Sequence, residues 1–310
     1  ARPMRLFVLT PRFPHPLDKG DKLRAYHQIV ELSKRHEVVL CALSDRPVAP
    51  SSQRELARVC RRVEVLEFSR WRGWLRAAVE VAGRRPLQVA YFHDRRLARR
   101  VRALIAEEAP DYVYCLLVRT AEYVDGIAVP RTLDLMDAFS WGMAQRHDQR
   151  PGWFGPLLEL ESRRLRSYEA AVVDRFERCT VITAADRDQI AHPHRARIAV
   201  VPNGVDLETF RPRATPTDID LLFVGNMGYP PNADAAEVLV REVLPLVRER
   251  YPQARVLIAG ATPTARVRRL AGIGIEVTGW VDDIAACYAR TRVFVNPMRF
   301  GTGLQNKLLQ

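Results

Sequence analysis

Residues 201–212 read Val-Pro-Asn-Gly-Val-Asp-Leu-Glu-Thr-Phe-Arg-Pro. The apolar run 198–201 predicts a strand that ends at the proline, and Asn203-Gly204 predicts a tight turn, because these two residue types tolerate the backbone conformations that such turns require. Phe210 then anchors the chain as it leaves this region. The stretch therefore predicts a turn at a hinge between two domains.

Short apolar runs alternate with longer helical patterns on both sides of this hinge. The runs that predict strands are 6–9, 37–42, 63–66, 112–116, 132–135, 179–183 and 198–201 before it, and 219–224, 254–259, 275–277 and 293–296 after it. Between the first two runs, residues 23–34 place their apolar side chains on one helical face. This alternation predicts parallel strands joined by crossover helices, which is an α/β architecture.

We expect two Rossmann-like domains that face each other across a cleft. The first would cover residues 1–212 and the second residues 213–310, with the polar, proline-containing stretch 211–218 as the linker. The second series has four strands and no closing helices. Because a doubly wound domain usually carries more, we expect the C-terminal domain to be truncated.

Composition limits the classes of function. The chain has 310 residues, 47% of them hydrophobic, and a net charge of +12, so an acidic partner is plausible: a nucleotide, a nucleic acid or an anionic membrane surface. The five cysteines lack Cys-x-x-Cys spacing and read as small buried hydrophobes in a reducing compartment. No run approaches the roughly 20 apolar residues of a membrane span. We expect a cytoplasmic protein, with or without contact to the inner face of a membrane.

The segment 70–102 differs in character from the rest of the chain. It has ten arginines against Glu80 and Asp94, hence +8 of the chain's +12, and Trp71 and Trp74 open it. One interpretation is a solvated basic helix whose tryptophans pack on the domain. A second is an interfacial helix on an anionic leaflet. Nucleic acid is disfavoured, because no stacking platform or helix-turn-helix pattern accompanies the charge.

The last stretch, 296–310, sets a strand end, a Gly-Thr-Gly turn and a helix start in series. Glycines permit close backbone approach, and the amides at a helix N-terminus carry roughly half a positive charge, to which Lys307 adds a full one. The stretch therefore predicts a turn that holds phosphate.

A second candidate loop, residues 10–24, follows the first strand and enters a helix at Gly20. In an open α/β sheet, ligands bind outside the carboxyl ends of the strands, and Lys19 and Lys22 favour an anion there. The alternative is a flexible helix entry with Asp21 as the N-cap. We include Gly20 among the candidate donor-binding residues, together with Asn203-Gly204 of the hinge.

The hinge motif, followed by the strand Leu222-Phe-Val-Gly225, resembles the retaining glycosyltransferases of family 4, which have the GT-B fold. The stretches 257–263 and 277–283 fit that family in the same order. More narrowly, residues 18–24, 133–137, 223–234 and 301–307 are similar to the branch associated with exosortase and PEP-CTERM exopolysaccharide systems. The resemblance covers essentially the whole chain.

The resemblance implies a transferase that moves a sugar from a nucleotide-diphosphate donor onto a glycan or lipid-linked acceptor, in exopolysaccharide or glycoconjugate biosynthesis. The donor would bind the second domain and the acceptor the first. We expect no cofactor and no metal. Asp218-Ile-Asp220 has the spelling of a metal motif but opens a strand at the wrong end of the sheet, and Asp186-Arg-Asp188 lies in a polar helix.

For the donor, the family holds the base against the backbone after a strand, here at Val281 with Asp283 close by. It often neutralises the diphosphate with an Arg and a Lys after the strand that ends in glycine, here Gly225. This chain has Asn226 and Asn232 at those places. Two cations are thus replaced by two neutral hydrogen-bonding side chains.

The family also uses a Glu-x7-Glu pair, which falls here on Thr302 and Gln310. We expect the amides of Gly303 and Leu304, with Lys307, to replace the missing phosphate cations, and Lys307 to assist departure of the diphosphate as a catalytic group. Gln310 can still hydrogen-bond a ribose, without the stronger acceptor pair of a carboxylate.

Many members place a His after a strand of the first domain, where this chain has Met136 or Asp137. Asp137 is the candidate that positions the acceptor hydroxyl or accepts its proton. The alternative is that Asp137 caps the next helix. Asp134 projects elsewhere by strand alternation and is the weaker candidate.

Two other functions stay open on the sequence. Asn226, Asn232, Gln310 and the missing His favour a non-catalytic assembly subunit that binds a sugar nucleotide. A nucleotide-sugar 2-epimerase of the same fold is less favoured, because the carboxylates that it needs around the sugar are not evident.

Overall fold

The computed structural model describes residues 2–149, 155–299 and 304–310, without the side chains of residues 146–149. The chain divides into two compact units, of which the first ends at Pro202 and the second begins at Asn203. The segment 203–212 therefore groups with the second unit, although the expected boundary lies at residue 213. The acceptor and donor roles of the two domains stay predictions.

The first unit contains a parallel sheet of seven strands within the described residues, in the order β3-β2-β1-β4-β5-β6-β7. The order changes direction between β1 and β4, which is where an open α/β sheet offers a ligand site. The strands are β1 Arg5–Thr10, β2 Glu37–Ser44, β3 Arg62–Glu67, β4 Tyr112–Leu116, β5 Arg131–Met136, β6 Arg178–Val181 and β7 Ala199–Val200.

Helices cover both faces of this sheet, because its strands are apolar on both sides. Phe7 and Leu9 of β1 belong to one core cluster, whereas Val8 between them belongs to another, as the two-residue period of a strand requires. The helices are α1 Gly20–Ser33, α2 Pro50–Ala57, α3 Arg70–Glu80, α4 Leu87–Phe92, α5 Arg95–Glu108, α6 Phe139–Gln149, α7 Gly155–Val173 and α8 Ala184–Gln189, with 3₁₀ turns at Val118–Val124 and Arg195–Arg197.

The second unit has a parallel sheet with the order β10-β9-β8-β11 in the described part of the chain. Phe223 and Leu222 of β8 again point into separate core clusters. The strands are β8 Ile219–Val224, β9 Val256–Ala259, β10 Ile275–Val277 and β11 Thr291–Phe294. The helices are α9 Pro230–Val238, α10 Leu244–Arg250, α11 Ala265–Arg268 and α12 Ile284–Ala289, with a π turn at Leu239–Val243 and a 3₁₀ turn at Asn306–Leu308.

The α/β class with parallel sheets is confirmed, and each predicted strand corresponds to a strand of the structure. The cysteines are all buried and unpaired, as predicted. Burial raises the pKa of Cys115 to about 12, so this thiol is inert. Among the described helices, none combines the length and the apolar character needed to cross a bilayer.

Candidate functional site

The loop after β8 is closely packed against the loop after β9 through two glycines. A Cβ atom on Gly260 would lie 2.0 Å from the carbonyl oxygen of Gly225, and the φ angle of Gly260, +135°, also excludes most other residues. A Cβ atom on Gly225 would lie 2.7 Å from the side-chain nitrogen Nδ2 of Asn232. Only glycine at both positions therefore lets the two loops and Asn232 meet.

Asn226 and Asn232 are brought together by this packing. Asn232 Nδ2 donates to the Asn226 carbonyl oxygen at 2.9 Å. Asn226 Oδ1 accepts from the amide of Gly228 at 3.0 Å and from the hydroxyl of Thr262. Thr262 was not among the predicted site residues, and its position in the loop after β9 was the one signal that could have identified it. The two asparagines therefore order the loop, and neither brings a charge to it.

Lys307 supplies the charge. Its Nζ donates to Asn232 Oδ1 at 2.7 Å and lies 4.5 Å from the centre of the Phe223 ring. The residue is only 8% exposed, and desolvation lowers the pKa of the amine to about 8. No carboxylate pairs with it among the described residues. Lys307 is thus a buried cation held by a neutral amide and an aromatic face.

The N-terminus of helix α9 adds a second positive pole beside Lys307. Asn232 lies in its first turn, where the helix dipole favours negative charge, although Pro230 and Pro231 carry no N–H and the amide of Asn232 donates to the Tyr229 carbonyl oxygen at 3.0 Å. A protonated Lys307 beside this terminus is electrostatically unfavourable until an anion joins them. The arrangement is therefore suited to bind a phosphate or diphosphate.

Three contacts hold the turn that carries Lys307. The Tyr288 hydroxyl lies 2.9 Å from the Lys307 carbonyl oxygen and 3.3 Å from Oε1 of Gln310. Asn203 Nδ2 donates to Asn306 Oδ1 at 2.6 Å. Together with the Lys307–Asn232 bond, these contacts bring the predicted catalytic residue Lys307 and three predicted donor-binding residues, Asn203, Asn232 and Gln310, to the same turn.

In the first unit, Asp137 follows β5 at a strained turn. The residue before it, Met136, has a φ angle of +63°, which costs about 1–3 kcal/mol for a residue other than glycine. Desolvation, followed by the charges of Asp186 and Asp134, raises the pKa of Asp137 to about 7. Its Oδ1 atom is buried and has no hydrogen-bond partner in the described chain. These are the properties of a carboxylate poised to accept a proton near neutral pH.

The first amides of α6 are capped by other carboxylates. Asp186 accepts from the amide of Ala138 at 3.2 Å, and Glu169 accepts from the amide and the hydroxyl of Ser140 at 3.1 Å and 2.6 Å. Burial raises the pKa of Glu169 to about 7. Within the described residues, the Asp137 carboxylate accepts from no α6 amide, so the capping role belongs to Asp186 and Glu169.

Asp134 is fully buried and fully engaged. It forms an ion pair with Arg24, with 2.8 Å between Oδ2 and Nε, and accepts from Tyr114 at 3.0 Å and from Gln28 at 3.1 Å. Its second oxygen accepts from the amide of Met136 at 3.1 Å. Through its bond to the Met136 amide, Asp134 therefore stabilises the strained turn. Its ion-pair partner Arg24 was not predicted from the sequence.

The strain at Met136 recurs at other strand ends. Leu117 after β4 has a φ angle of +62° and Thr262 after β9 one of +51°. Such residues persist where surrounding structure over-determines them, and they cluster at functional sites. Among the described residues other than glycine, three of the four with positive φ therefore lie at or after the ends of strands, and the fourth, Ala109, ends α5.

Comparison with known proteins gives a family match in the second unit and two relatives of the chain. Residues 218–310 match the family "Glycosyl transferases group 1". Over 98% of its length the chain is 21% identical to an "Uncharacterized 44.6 kDa protein in cps region" of Klebsiella pneumoniae, of which it covers 79%. Over 51% of its length it is 27% identical to a GDP-mannose-dependent alpha-(1-6)-phosphatidylinositol dimannoside mannosyltransferase of Mycobacterium tuberculosis, of which it covers 46%.

Among solved structures, a sucrose-phosphate synthase of Thermosynechococcus elongatus superposes with a TM-score of 0.63 at 14% identity, over 96% of this chain and 76% of that one. The fold is GT-B. Within it, the matched family covers the unit that holds Lys307 and the asparagine loop. The GT-B fold and the family match together support a glycosyltransferase.

Other residues that the GT-B resemblance nominated are placed as follows. Val281 is partly buried against the β8 core. Asp283 caps α12 through the amide of Ala286 and forms an ion pair with Arg213, 2.5 Å away, whose hydrogen bond lowers the pKa of this carboxyl. Among the described residues, Asp283 forms no hydrogen bond with Lys307, Asn232 or Gln310, and Val281 packs in the same apolar cluster as Tyr288. Their contribution to base recognition stays a prediction.

The remaining candidates are less constrained. A Cβ atom at Gly20 or Gly204 would meet open space, so crowding does not require glycine there. Leu304 belongs to the first unit and packs against Leu117, Met136 and Ile182. Thr302 and Gly303 lie outside the described residues, and the predicted phosphate-binding role of their amides stays untested.

The acidic motifs also have structural partners. Asp218 pairs with Arg290, and Asp220 accepts from the backbone amide of Arg255 at 2.8 Å, both at the start of β8. Across the part of the chain that the structure describes, no group of three or more His, Cys, Asp or Glu side chains is arranged to hold a metal ion.

Proposed function

We propose that this chain belongs to a retaining glycosyltransferase that transfers a sugar from a nucleotide-diphosphate donor to a glycan or lipid-linked acceptor. Its place would be exopolysaccharide or glycoconjugate biosynthesis, in family 4 and in the branch associated with PEP-CTERM systems. The name of the GDP-mannose-dependent mannosyltransferase supports a glycan product and a nucleotide-sugar donor, and the relative from a cps region is similar over nearly the whole chain.

The observation that carries the proposal is the buried Lys307. An amine with a lowered pKa, beside a helix N-terminus and without a carboxylate partner in the described residues, gains most from a bound anion. A diphosphate would bring the negative charge that this group lacks. As the sugar departs, charge grows on the diphosphate, and Lys307 with the dipole of α9 would stabilise it without a metal ion.

Asp137 supplies the second role. In a front-face displacement the acceptor hydroxyl attacks the anomeric carbon on the side from which the diphosphate leaves. In one route the acceptor proton passes to the leaving diphosphate while Asp137, with one unpartnered oxygen in the described chain, orients the hydroxyl; in the other, Asp137 accepts the proton itself. The C–O bond to the acceptor forms as the C–O bond to the diphosphate breaks, so the anomeric configuration is retained.

The test is a transfer assay on the full-length protein with UDP-sugars and GDP-sugars and with candidate glycan and polyprenyl-linked acceptors. We expect release of nucleoside diphosphate that depends on acceptor, and an NMR spectrum in which donor and product share the same anomeric configuration. Lys307→Met should lower kcat/KM by about 10²-fold or more, the typical effect of losing one stabilising group. Lys34→Met, at an exposed lysine, is the matched control.

Two outcomes would replace the proposal. Nucleotide binding without transfer to any acceptor would favour the non-catalytic assembly subunit. Interconversion of a free nucleotide sugar at its second carbon would favour the epimerase.

A further inference from the structure

Helix α3 buries its smallest residues and exposes its largest apolar ones. Gly73 and Ala77, four residues apart on one face, are buried, and a Cβ atom on Gly73 would lie 2.9 Å from the ring of Tyr91 in α4. A surface helix of a globular protein ordinarily turns its large apolar side chains inward. Here the small face lets α3 pack closely on α4, and the large side chains are left outside.

The outer face forms a continuous apolar stripe. Trp71 is 63% exposed, Trp74 64%, Leu75 54% and Val79 70%. Residues with this spacing lie on one side of a helix. We call these four residues the α3 stripe. The structure thus contradicts the interpretation in which both tryptophans pack on the domain, although Trp74 touches the Tyr91 ring edge-on at 5.2 Å.

Positive charge borders the α3 stripe. The Arg72 guanidinium lies 5.4 Å from the centre of the Trp71 ring. Beyond the helix end, Arg84 of the following loop and Arg163 and Arg164 of α7 line an open cavity of about 470 Å³. Arg164 donates to the carbonyl oxygens of Glu80 and Val81, so this cavity adjoins the C-terminal end of α3.

The structure also shows which arginines of the basic segment 70–102 are paired with carboxylates. Arg76 pairs with Asp94 at 3.0 Å and Arg100 with Glu64 at 3.0 Å, which neutralises part of its charge. Among the described residues, no carboxylate pairs with Arg72, Arg84 or Arg164. Unneutralised arginines therefore lie beside the α3 stripe and at its end, and also on α5, where no carboxylate of the described residues pairs with Arg95, Arg96, Arg99 or Arg102.

We propose that the α3 stripe docks on the surface of a bilayer that contains anionic phospholipid. Indole rings prefer the depth of the headgroups, leucine and valine reach the acyl boundary, and guanidinium groups bind lipid phosphates in bidentate fashion. The combination of exposed tryptophans with unneutralised arginines and an arginine-lined cavity favours this partner over an apolar protein surface, which would leave the arginines unpaired. The proposal does not rest on the transferase activity.

The test is co-sedimentation of the full-length protein with vesicles of phosphatidylcholine alone or mixed in equal parts with phosphatidylglycerol. We expect binding to the mixed vesicles with a blue shift of tryptophan fluorescence, and weaker binding in high salt. Trp71→Ser/Trp74→Ser should weaken binding at least about tenfold, or about 1.4 kcal/mol. Trp280→Ser is the matched control, because Trp280 is 59% exposed in the second unit.

The charge arm uses Arg72→Gln/Arg84→Gln, which should reduce binding to the anionic vesicles and leave the far-UV circular dichroism of the free protein unchanged. Equal binding of the wild type and the tryptophan variant would overturn the proposal. So would a wild type that binds neither vesicle but forms a dimer that Trp71→Ser/Trp74→Ser dissociates, as measured by sedimentation velocity. In that case the stripe joins two copies of the protein.

Discussion

The ammonium of Lys307 donates a hydrogen bond to the side-chain oxygen of Asn232 at 2.7 Å, although the two residues are 75 positions apart in the chain. Asn232 stands where the resembling family often has a cation. Lys307, from another part of the second unit, therefore brings a positive charge to the side chain of residue 232.

This pairing predicts an energetic coupling. In a double-mutant cycle of Lys307→Met and Asn232→Ala, we expect a coupling of about 1.5–3 kcal/mol in the free energy of unfolding near neutral pH, the range for a hydrogen bond to a charged group. The coupling should shrink above the Lys307 pKa of about 8, as the amine loses its proton. The same cycle on the exposed pair Lys34 and Glu31 should give under about 0.5 kcal/mol.

The pH dependence of transfer should have two limbs. The pKa of Asp137 is raised to about 7 and that of Lys307 lowered to about 8, so the ionised carboxylate and the protonated amine coexist best between these values. Activity should rise with pH through the first and fall through the second. Asp137→Asn should abolish the acid limb, and Lys307→Arg should move the alkaline limb upward. If neither variant changes the pH profile, both assignments are excluded. Lys34→Arg is the control and should leave the profile unchanged.

Asp137 should also cost stability. Its pKa in the folded protein, about 7, lies above its ordinary 3.8, so the folded state binds a proton that the unfolded state has released. Stability is therefore lost as pH rises through that window. Asp137→Asn should raise Tm by a few degrees near pH 8 and have little effect near pH 4, as measured by scanning calorimetry. Asp188→Asn, at an exposed carboxylate, should show no such difference; a Tm gain equal at both pH values would contradict the assignment.

The contact between the glycines of the β8 and β9 loops predicts a severe variant. Gly260→Ala places its methyl group 2.0 Å from the Gly225 carbonyl oxygen in an unfavourable backbone conformation, and should destabilise the second unit by about 3 kcal/mol or more. Gly279→Ala, where a Cβ atom meets nothing within 4 Å, is the control and should change stability by under about 0.5 kcal/mol. Urea denaturation of the two variants would compare them, and similar midpoints would refute the packing.

The fold was largely predictable because parallel strands buried on both faces read as apolar runs. The ends of the strands were less predictable. The apolar run extends over residues 198–201, but β7 covers only Ala199–Val200, because only these two residues pair with β6. The terminal turn pointed to Lys307 through its charge. Its hydrogen bond to Asn232 was not predictable, because sequence spacing says nothing about residues 75 positions apart.

The first-domain site shows the same limit. Asp137 was recognisable from its place at the end of a strand, but the raised pKa comes from burial and from Asp186, which the sequence suggested only as part of a metal motif. The ion pair of Asp134 with Arg24 joins residues 110 positions apart and assigns Asp134 a supporting role that strand alternation only hinted at. Properties that depend on tertiary neighbours are the ones that sequence patterns leave undetermined.

Calorimetric titration of the full-length protein with UDP and GDP, set beside uridine and guanosine, tests the central claim that Lys307 holds the donor diphosphate. We predict that the preferred diphosphate binds, that Lys307→Met weakens it at least about tenfold, or 1.4 kcal/mol, and that Lys34→Met does not. The matching nucleoside should bind the wild type and Lys307→Met equally. Equal affinity of the diphosphate for wild type and Lys307→Met would contradict the account.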